Sequence, residues 1–345
     1  MADQQAPPDA AAVKDKARAL GFDLCGIAQA HPVERTAYDR WYANGWHANL
    51  SHMKIRIEER LDPRRLVANA QSVIVVAASY GPDRVPIPTS ADDLLPVARY
   101  AQGRDYHNGL LKRARKLAAW LRSFGAEVYA EVDAGAVAEK FWAMEAGLGW
   151  IGKNGLVIHE KFGSWLLLGA LVTDLELQID APHPDRCGEC SACIPACPTG
   201  AIQEGRLVDA NKCLAYLTIE TKQPIPRELA TSAGGRVFGC DACQEVCPWN
   251  RRAREGTLVD LRPRPEQKAL PLEMLLALTD EEAQARFAGT PLMRAGREGL
   301  VRPALAVCKK PLEGRARELA EVLKNDPSES IRIEAQRALD VHSSS

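Results

Sequence analysis

Eight of the ten cysteines in this chain lie between Cys187 and Cys247, and their spacing is that of cluster ligands rather than of disulfide partners. Cys187, Cys190, Cys193 and Cys197 stand in CGECSACIPACP, the run C-x2-C-x2-C-x3-C followed by Pro198. Three cysteines separated by two residues let one turning loop aim three thiolates at a single cubane, while the fourth points past it to another. A second half follows in CDACQEVCPW, with Cys240, Cys243, Cys247 and Pro248. It gives two thiolates to its own cluster and one in exchange, which leaves a cluster one ligand short. Cys213, in NKCLAYLTIE, completes the count. The expected sets are Cys187, Cys190, Cys193 and Cys247 for one 4Fe-4S cluster, and Cys197, Cys213, Cys240 and Cys243 for the other. Four-thiolate zinc sites use paired C-x2-C units, which three successive cysteines with a proline after the last fit poorly. Cys25 and Cys308 lie far outside, in apolar contexts, and read as buried small residues.

Two cubanes deliver electrons singly, so an acceptor is expected in the segment of roughly 180 residues upstream. No G-x-G-x-x-G follows a strand and no P-loop is present, so neither a dinucleotide nor a nucleoside triphosphate is indicated. In GLGWIGKNG the glycines Gly147, Gly149, Gly152 and Gly155 are spaced for turns. Asp133, in VYAEVDAGAVAEKFW, stands at a strand end before a helix start. It has two readings at this point, a helix N-cap accepting backbone N–H bonds or an acid in a site.

The elements that must position these groups follow from the apolar pattern. Ala10 to Leu20 reads as a helix closed by Gly21, and Phe22 to Ile27 as a strand. QSVIVVAASY, Gln71 to Tyr80, is a β-branched run suited to a strand buried on both faces. A proline-rich loop leads to a basic helix from about His107 to Phe124, ended by Gly125. A strand from Ala126 to Val132 and a helix from Val137 to Ala146 come next. After the glycine-rich turn, two apolar runs joined at Lys161 to Ser164 suggest a hairpin. Beyond the cysteines the pattern is wholly helical, in Leu270 to Leu278, Leu300 to Val307, Ala316 to Leu323 and Ile331 to Leu339. The 345 residues are 46% apolar, with 44 basic against 45 acidic side chains, enough for two or three domains. No run of about 18 apolar residues indicates a membrane span, and the near-zero net charge provides no global pull on nucleic acid. The N-terminal segment has neither a signal sequence nor a twin arginine, so a cytoplasmic location is expected.

The order of the motifs VDAGAVAEK, ARYAQGRDYH, GWIGKNGLVIHEKFGSW, CGECSACIPACPTGAI, CLAYLTIE and GCDACQEVCPWN resembles that of the epoxyqueuosine reductases, nearly end to end, with Gly155 where the family pattern has threonine. The resemblance implies an α+β chain: an N-terminal α/β cobalamin-binding domain over 1–180, a ferredoxin-like domain with two 4Fe-4S clusters over 181–250, and an all-helical HEAT-like region that contacts tRNA over 251–345. It implies reduction of the epoxide of epoxyqueuosine at the tRNA wobble position to the alkene of queuosine, the last step of queuosine biosynthesis, with two electrons and two protons consumed and water released. By the same resemblance Asp133 is the proton donor to the opening epoxide oxygen, kept protonated by burial near Phe141 and Trp142. Arg56, Ile57, Asp133, Lys153, Asn154, Ser164, Ala215 and Tyr216 line the cobalamin, whose lower face has no protein ligand. Tyr100 and His159 face the modified base. The partners implied are a tRNA with a GUN anticodon and a low-potential donor such as flavodoxin or ferredoxin, and a monomer is expected. The basic stretch from Arg99 to Arg122 and Arg294, Arg297, Arg302 and Arg332 are candidates for RNA contact, with Tyr100, Tyr106, Trp150 and Trp165 available for base stacking.

Three other readings stay in view. Reductive dehalogenases also join cobalamin to two cubanes, but usually carry a twin-arginine signal. A ferredoxin-type electron-transfer subunit docking through the helical tail would bind clusters and no cobalamin. A tRNA-binding scaffold with structural clusters would bind without turnover.

Overall fold

A computed structural model describes residues 6–81, 93–133 and 135–340; the proline-rich segment 82–92 lies outside them. The chain begins with α1 (Ala10–Ala19), β1 (Leu24–Gln29), α2 (Thr36–Ala43) and α3 (Ile57–Leu61), then enters β2 (Ser72–Ser79). All eight residues of β2, SVIVVAAS, are buried. Its side chains alternate: Ile74, Val76 and Ala78 join Val13 and Ala17 of α1 on one face, and Val73, Val75 and Ala77 meet Trp142 and Ala143 on the other. After β3 (Leu94–Pro96) come α4 (Tyr106–Arg122), β4 (Val128–Glu131), α5 (Glu139–Glu145), β5 (Trp150–Ile151), β6 (Val157–Ile158) and β7 (Leu166–Thr173).

The central sheet has the order β1-β2-β7-β4 with every neighbouring pair antiparallel. Helices and strands mix as the pattern implies, but without parallel βαβ crossovers, because β7 enters between β2 and β4 (Val75 opposite Ala170, Ala130 opposite Leu171). The expected hairpin across Lys161 to Ser164 does not form beyond one bridge, His159 to Gly163. The first apolar run turns back on β5 instead, Trp150 opposite Ile158. The second is β7, and its buried Leu171 and Val172 are covered on both faces of the central sheet, as a two-stranded hairpin could not cover them.

The helices Glu298–Val307, Gly314–Leu323 and Glu329–Asp340 pack on one another. Leu270 to Leu278 is not one helix: Ala269–Pro271 pairs with β3, Leu270 opposite Leu95, and only Leu272–Leu276 is helical. The boundaries expected at 180 and 250 are crossed in both directions. Leu95, Val97 and Ala101 lie in the core of the C-terminal helices, and Ala253, Leu258 and Leu261 lie in the core under α1 and α4. Strand pairing of β3 with 269–271 carries the first of these crossings. Among the described residues no helix is long and apolar enough to cross a membrane.

Candidate functional site

Asp133 follows β4 with φ +67°, a left-handed conformation that costs roughly 1–2 kcal/mol for most residues and that aspartate adopts more readily. Its surroundings hold it there. The buried Glu131 carboxylate accepts the N–H groups of Ala136 and Val137 at 2.7 and 2.6 Å and the Tyr129 hydroxyl at 2.7 Å. Arg60, also buried, donates to the carbonyl of Gly135 at 2.8 Å. A Cβ at Gly135 would lie 1.6 Å from Glu131 Oε2, so only glycine lets the loop close on that carboxylate. The backbone N–H of Asp133 donates to Glu139 Oε1 at 2.6 Å.

Asp133 does not cap α5, whose N-cap is Ala138 without a side-chain bond. Its Oδ2 instead accepts the Tyr106 hydroxyl at 2.9 Å and lies 2.7 Å from His107 Nε2. The other ring nitrogen, Nδ1, is 2.7 Å from Asp105 Oδ1, and Arg294 holds the second Asp105 oxygen at 2.8 Å. Burial works against a charged His107 ring, but hydrogen bonds to Asp133 and Asp105 outweigh it and lift its pKa. Burial was expected to keep Asp133 protonated; its side chain is in fact 50% exposed, and Trp142 turns into the core. The carboxyl held near neutrality is its neighbour Glu139, raised to about 8 by desolvation and then by the Asp133 charge.

Asp133, Glu139 and Lys140 line a cleft of about 380 Å3 walled by Tyr38, Trp41, Met53 and Phe141. Lys140 opens onto the cleft and donates to the Gly155 carbonyl at 3.0 Å. Surrounding protein lowers its pKa, opposed by Glu139 and then by Cys213, with Cys243 also in range. Cys213 and Cys243 thus lie within electrostatic range of Lys140, although among the described residues no cysteine lines the cleft itself.

The first set, Cys187, Cys190, Cys193 and Cys247, lines a separate cavity of about 220 Å3. Thiol neighbours fall mostly within the expected sets, although Cys193 of the first also acts on Cys243 of the second. Cys193 is raised by burial, with further upward contributions from Cys187, Cys247 and Cys190. Cys243 is raised by burial and then by Cys240, Cys213 and Cys197, and Cys240 reaches about 11, again chiefly through burial. A cluster must displace these protons, so its binding is linked to proton release. Among the described residues no three His, Cys, Asp or Glu side chains converge on a single-ion position; Cys187, Cys190, Cys193 and Cys247 line one cavity, as the ligands of a cubane would.

The other expected residues are scattered. Arg56 is exposed, bonded to Glu59 and to the Tyr129 hydroxyl, and Ile57 packs on the sheet core. Lys153 and Asn154 line the first cysteine cavity, not the cleft. Ser164 is buried, giving its hydroxyl to Gln244 and its N–H to Asn250. Ala215 and Tyr216 offer backbone N–H groups to Cys213. Tyr100 packs edge-on against Tyr106, 6.0 Å between centroids, near Asp133. His159 is elsewhere, beside Phe162 and His183, its pKa lowered to about 4 by burial and then by His183. Among the arginines, Arg294 holds Asp105, Arg297 pairs with Asp326, and Arg302 is buried on the carbonyls of Leu217, Thr221 and Gln223. Arg332 donates to the carbonyls of Asp326 and Pro327. These four serve the fold, while Lys112, Arg115 and Lys116 of α4 face a shallow open surface. Sequence reasoning missed His107, although DYH lies within one of the family motifs, and of the cleft walls found only Phe141.

A double-cluster region joined to an acid-lined cleft defines an iron–sulfur oxidoreductase, and comparison with known proteins narrows the class. Residues 186–250 match the family model described as 4Fe-4S double cluster binding domain, and residues 60–134 match Epoxyqueuosine reductase QueG, DUF1730. An epoxyqueuosine reductase of Pseudomonas aeruginosa is 39% identical over 99% of this chain and 98% of its own; one of Gloeobacter violaceus is 41% identical over 86% and 95%. The chain belongs to the epoxyqueuosine reductase family. A crystal structure of an epoxyqueuosine reductase with an epoxyqueuosine-modified tRNA-Tyr stem loop superposes with TM-score 0.89 at 28% identity, covering 95% of this chain and 88% of that one. A Bacillus subtilis enzyme, with its catalytic aspartate loop swung out of the active site, gives 0.86 at 28% identity over 94% and 88%.

Proposed function

We propose that this chain reduces the epoxide of epoxyqueuosine at the wobble position of a GUN-anticodon tRNA to the alkene of queuosine. The observation that carries the reading is Asp133, tied to His107, on a cleft whose Lys140 lies in electrostatic range of Cys213 and Cys243. The reaction takes up two electrons and two protons and releases the oxygen as water. Cys187, Cys190, Cys193 and Cys247 would hold one 4Fe-4S cluster and Cys197, Cys213, Cys240 and Cys243 the other, each giving one electron.

The aromatic and apolar wall of Tyr38, Trp41, Met53 and Phe141 fits one face of a flat macrocycle, and a cobalamin, larger than the cleft, would project from it. When bound, cobalamin supplies a low-valent metal able to act as nucleophile or reductant. The protein's own part is protonation. Asp133 Oδ2 carries a proton to the epoxide oxygen, His107 Nε2 restores it, and Glu139, poised near neutrality, is the source of the second. Tyr100, half-buried beside Asp133, would offer its edge to an extruded base, and Lys112, Arg115 and Lys116 would meet RNA phosphates. A flavodoxin or ferredoxin would dock near the exposed Cys190. The C-terminal helices are read as a HEAT-like support for the RNA, and the protein as a cytoplasmic monomer.

The test is anaerobic incubation of the cluster- and cobalamin-loaded protein with an epoxyqueuosine-containing stem loop and a low-potential reductant. Loss of the mass of one oxygen atom from the nucleoside is expected; an unchanged nucleoside with both clusters present would overturn the reading.

A further inference from the structure

Two buried side-chain donors beside the first cysteine set are not used by the protonation chemistry, Asn154 in the wall of its cavity and Trp150 behind Cys187. Trp150, on β5, is 1% exposed, and its indole N–H donates to Cys187 Sγ at 3.4 Å. An indole can only donate. The ring is fixed by His183, 5.2 Å away, and by Trp249 at 5.0 Å, two residues beyond Cys247. Asn154, in the wall of the same cavity, is 4% exposed. Its Oδ1 accepts the Leu156 N–H at 3.3 Å, which fixes the orientation of the amide, and its Nδ2 is buried without a partner. A buried amide donor facing a cavity walled by thiols is satisfied once sulfur acceptors fill that cavity.

We propose that Trp150 and Asn154 are positioning residues that raise the reduction potential of the cluster held by Cys187, Cys190, Cys193 and Cys247. N–H donors directed at cluster sulfurs stabilise the more negative, reduced state. Backbone N–H groups reach both sets, from Trp249 and Asn250 at Cys247 and from Tyr216, Ala215, Ala242 and Ala201 at Cys213, Cys240 and Cys197, where the Thr199 hydroxyl also lies 3.7 Å from the sulfur. The indole and amide N–H groups come in addition at the first cluster and make it easier to reduce than it would be without them. The inference rests on the proposed ligand sets but not on the substrate, since it concerns potentials measured without RNA.

Trp150→Phe keeps the ring and removes the N–H; Asn154→Leu removes the amide; Trp120→Phe, on the outer side of α4, is the control. Iron content and potentiometric titration followed by electron paramagnetic resonance are read on the anaerobically loaded full chain. One cluster is expected to become roughly tenfold harder to reduce in Trp150→Phe, a downward shift of about 59 mV for one electron. The same cluster should shift in Asn154→Leu, with the other cluster and the control unmoved. No shift, an upward shift, or an equal shift of both clusters would overturn the proposal. So would loss of the cluster in both variants, which would make the two residues structural supports. A wild-type iron content short of two clusters would refute the ligand sets themselves, separately from any assay of turnover.

Discussion

Asp133→Asn isolates the proton from everything else that Asp133 does. Two partners of the carboxylate among the described residues, the Tyr106 hydroxyl and His107 Nε2, meet the same atom, Oδ2. An asparagine with its oxygen in that position still accepts both. Asparagine also tolerates the left-handed φ of +67°. Folding loses only the charged character of the His107 bond. A charged bond contributes about 1.5–3 kcal/mol against 0.5–1.5 for a neutral one, and solvent screening at the half-exposed Asp133 brings the difference below about 1 kcal/mol. Removal of a general acid costs about 10²–10⁴ in rate, or roughly 3–5 kcal/mol of barrier. The assay is single turnover of a modified stem loop by pre-reduced, cobalamin-loaded protein, with urea unfolding in parallel. A rate within tenfold of wild type, or a lost rate that tracks lost folding, would refute the assignment of Asp133 as the acid.

Further outcomes follow from the same network. His107 has a raised folded pKa, so its stabilisation is complete below its unfolded value of about 6.5 and fades as pH rises through the folded value. Unfolding free energy measured against pH should show this fall in wild type and a smaller one in Asp105→Asn. His107→Gln should slow multiple turnover more than the first turnover, because the relay matters when Asp133 is reprotonated; equal losses would remove that role. Gly135→Ala forces the Glu131 carboxylate off two buried N–H groups, and denaturant titration should show a loss of about 2–4 kcal/mol. Cys247→Ser should abolish the same spectroscopic cluster as Cys187→Ser, and Cys213→Ser the other, as read by iron content and electron paramagnetic resonance.

The double-cluster region was legible because cluster spacing is local. β2 and α4 were legible for a similar reason: eight consecutive buried residues and one long amphipathic period leave little ambiguity. The antiparallel placement of β7 was not, since strand neighbours are decided by which surfaces remain to be covered. Asp133 could be singled out, but its partner His107 lies 26 residues earlier, and only the packing of α4 beside β4 brings them together. The cleft joins residues 37–60 to residues 206–208, a juxtaposition with no periodic signal. Lys153 and Asn154 were selected from a motif whose importance was legible while the cavity it serves was not.

The most direct test of the account is an electron count. Protein loaded with both clusters and cobalamin is reduced, freed of excess reductant and mixed with modified stem loop. The two clusters together store two electrons, the number one epoxide needs, so the account predicts one deoxygenated nucleoside for each pair of cluster electrons lost, beyond what the reduced cobalamin itself stores, and none without cobalamin. Conversion beyond the cobalamin's own electrons without cluster reoxidation, or full reoxidation with the epoxide intact, would contradict it.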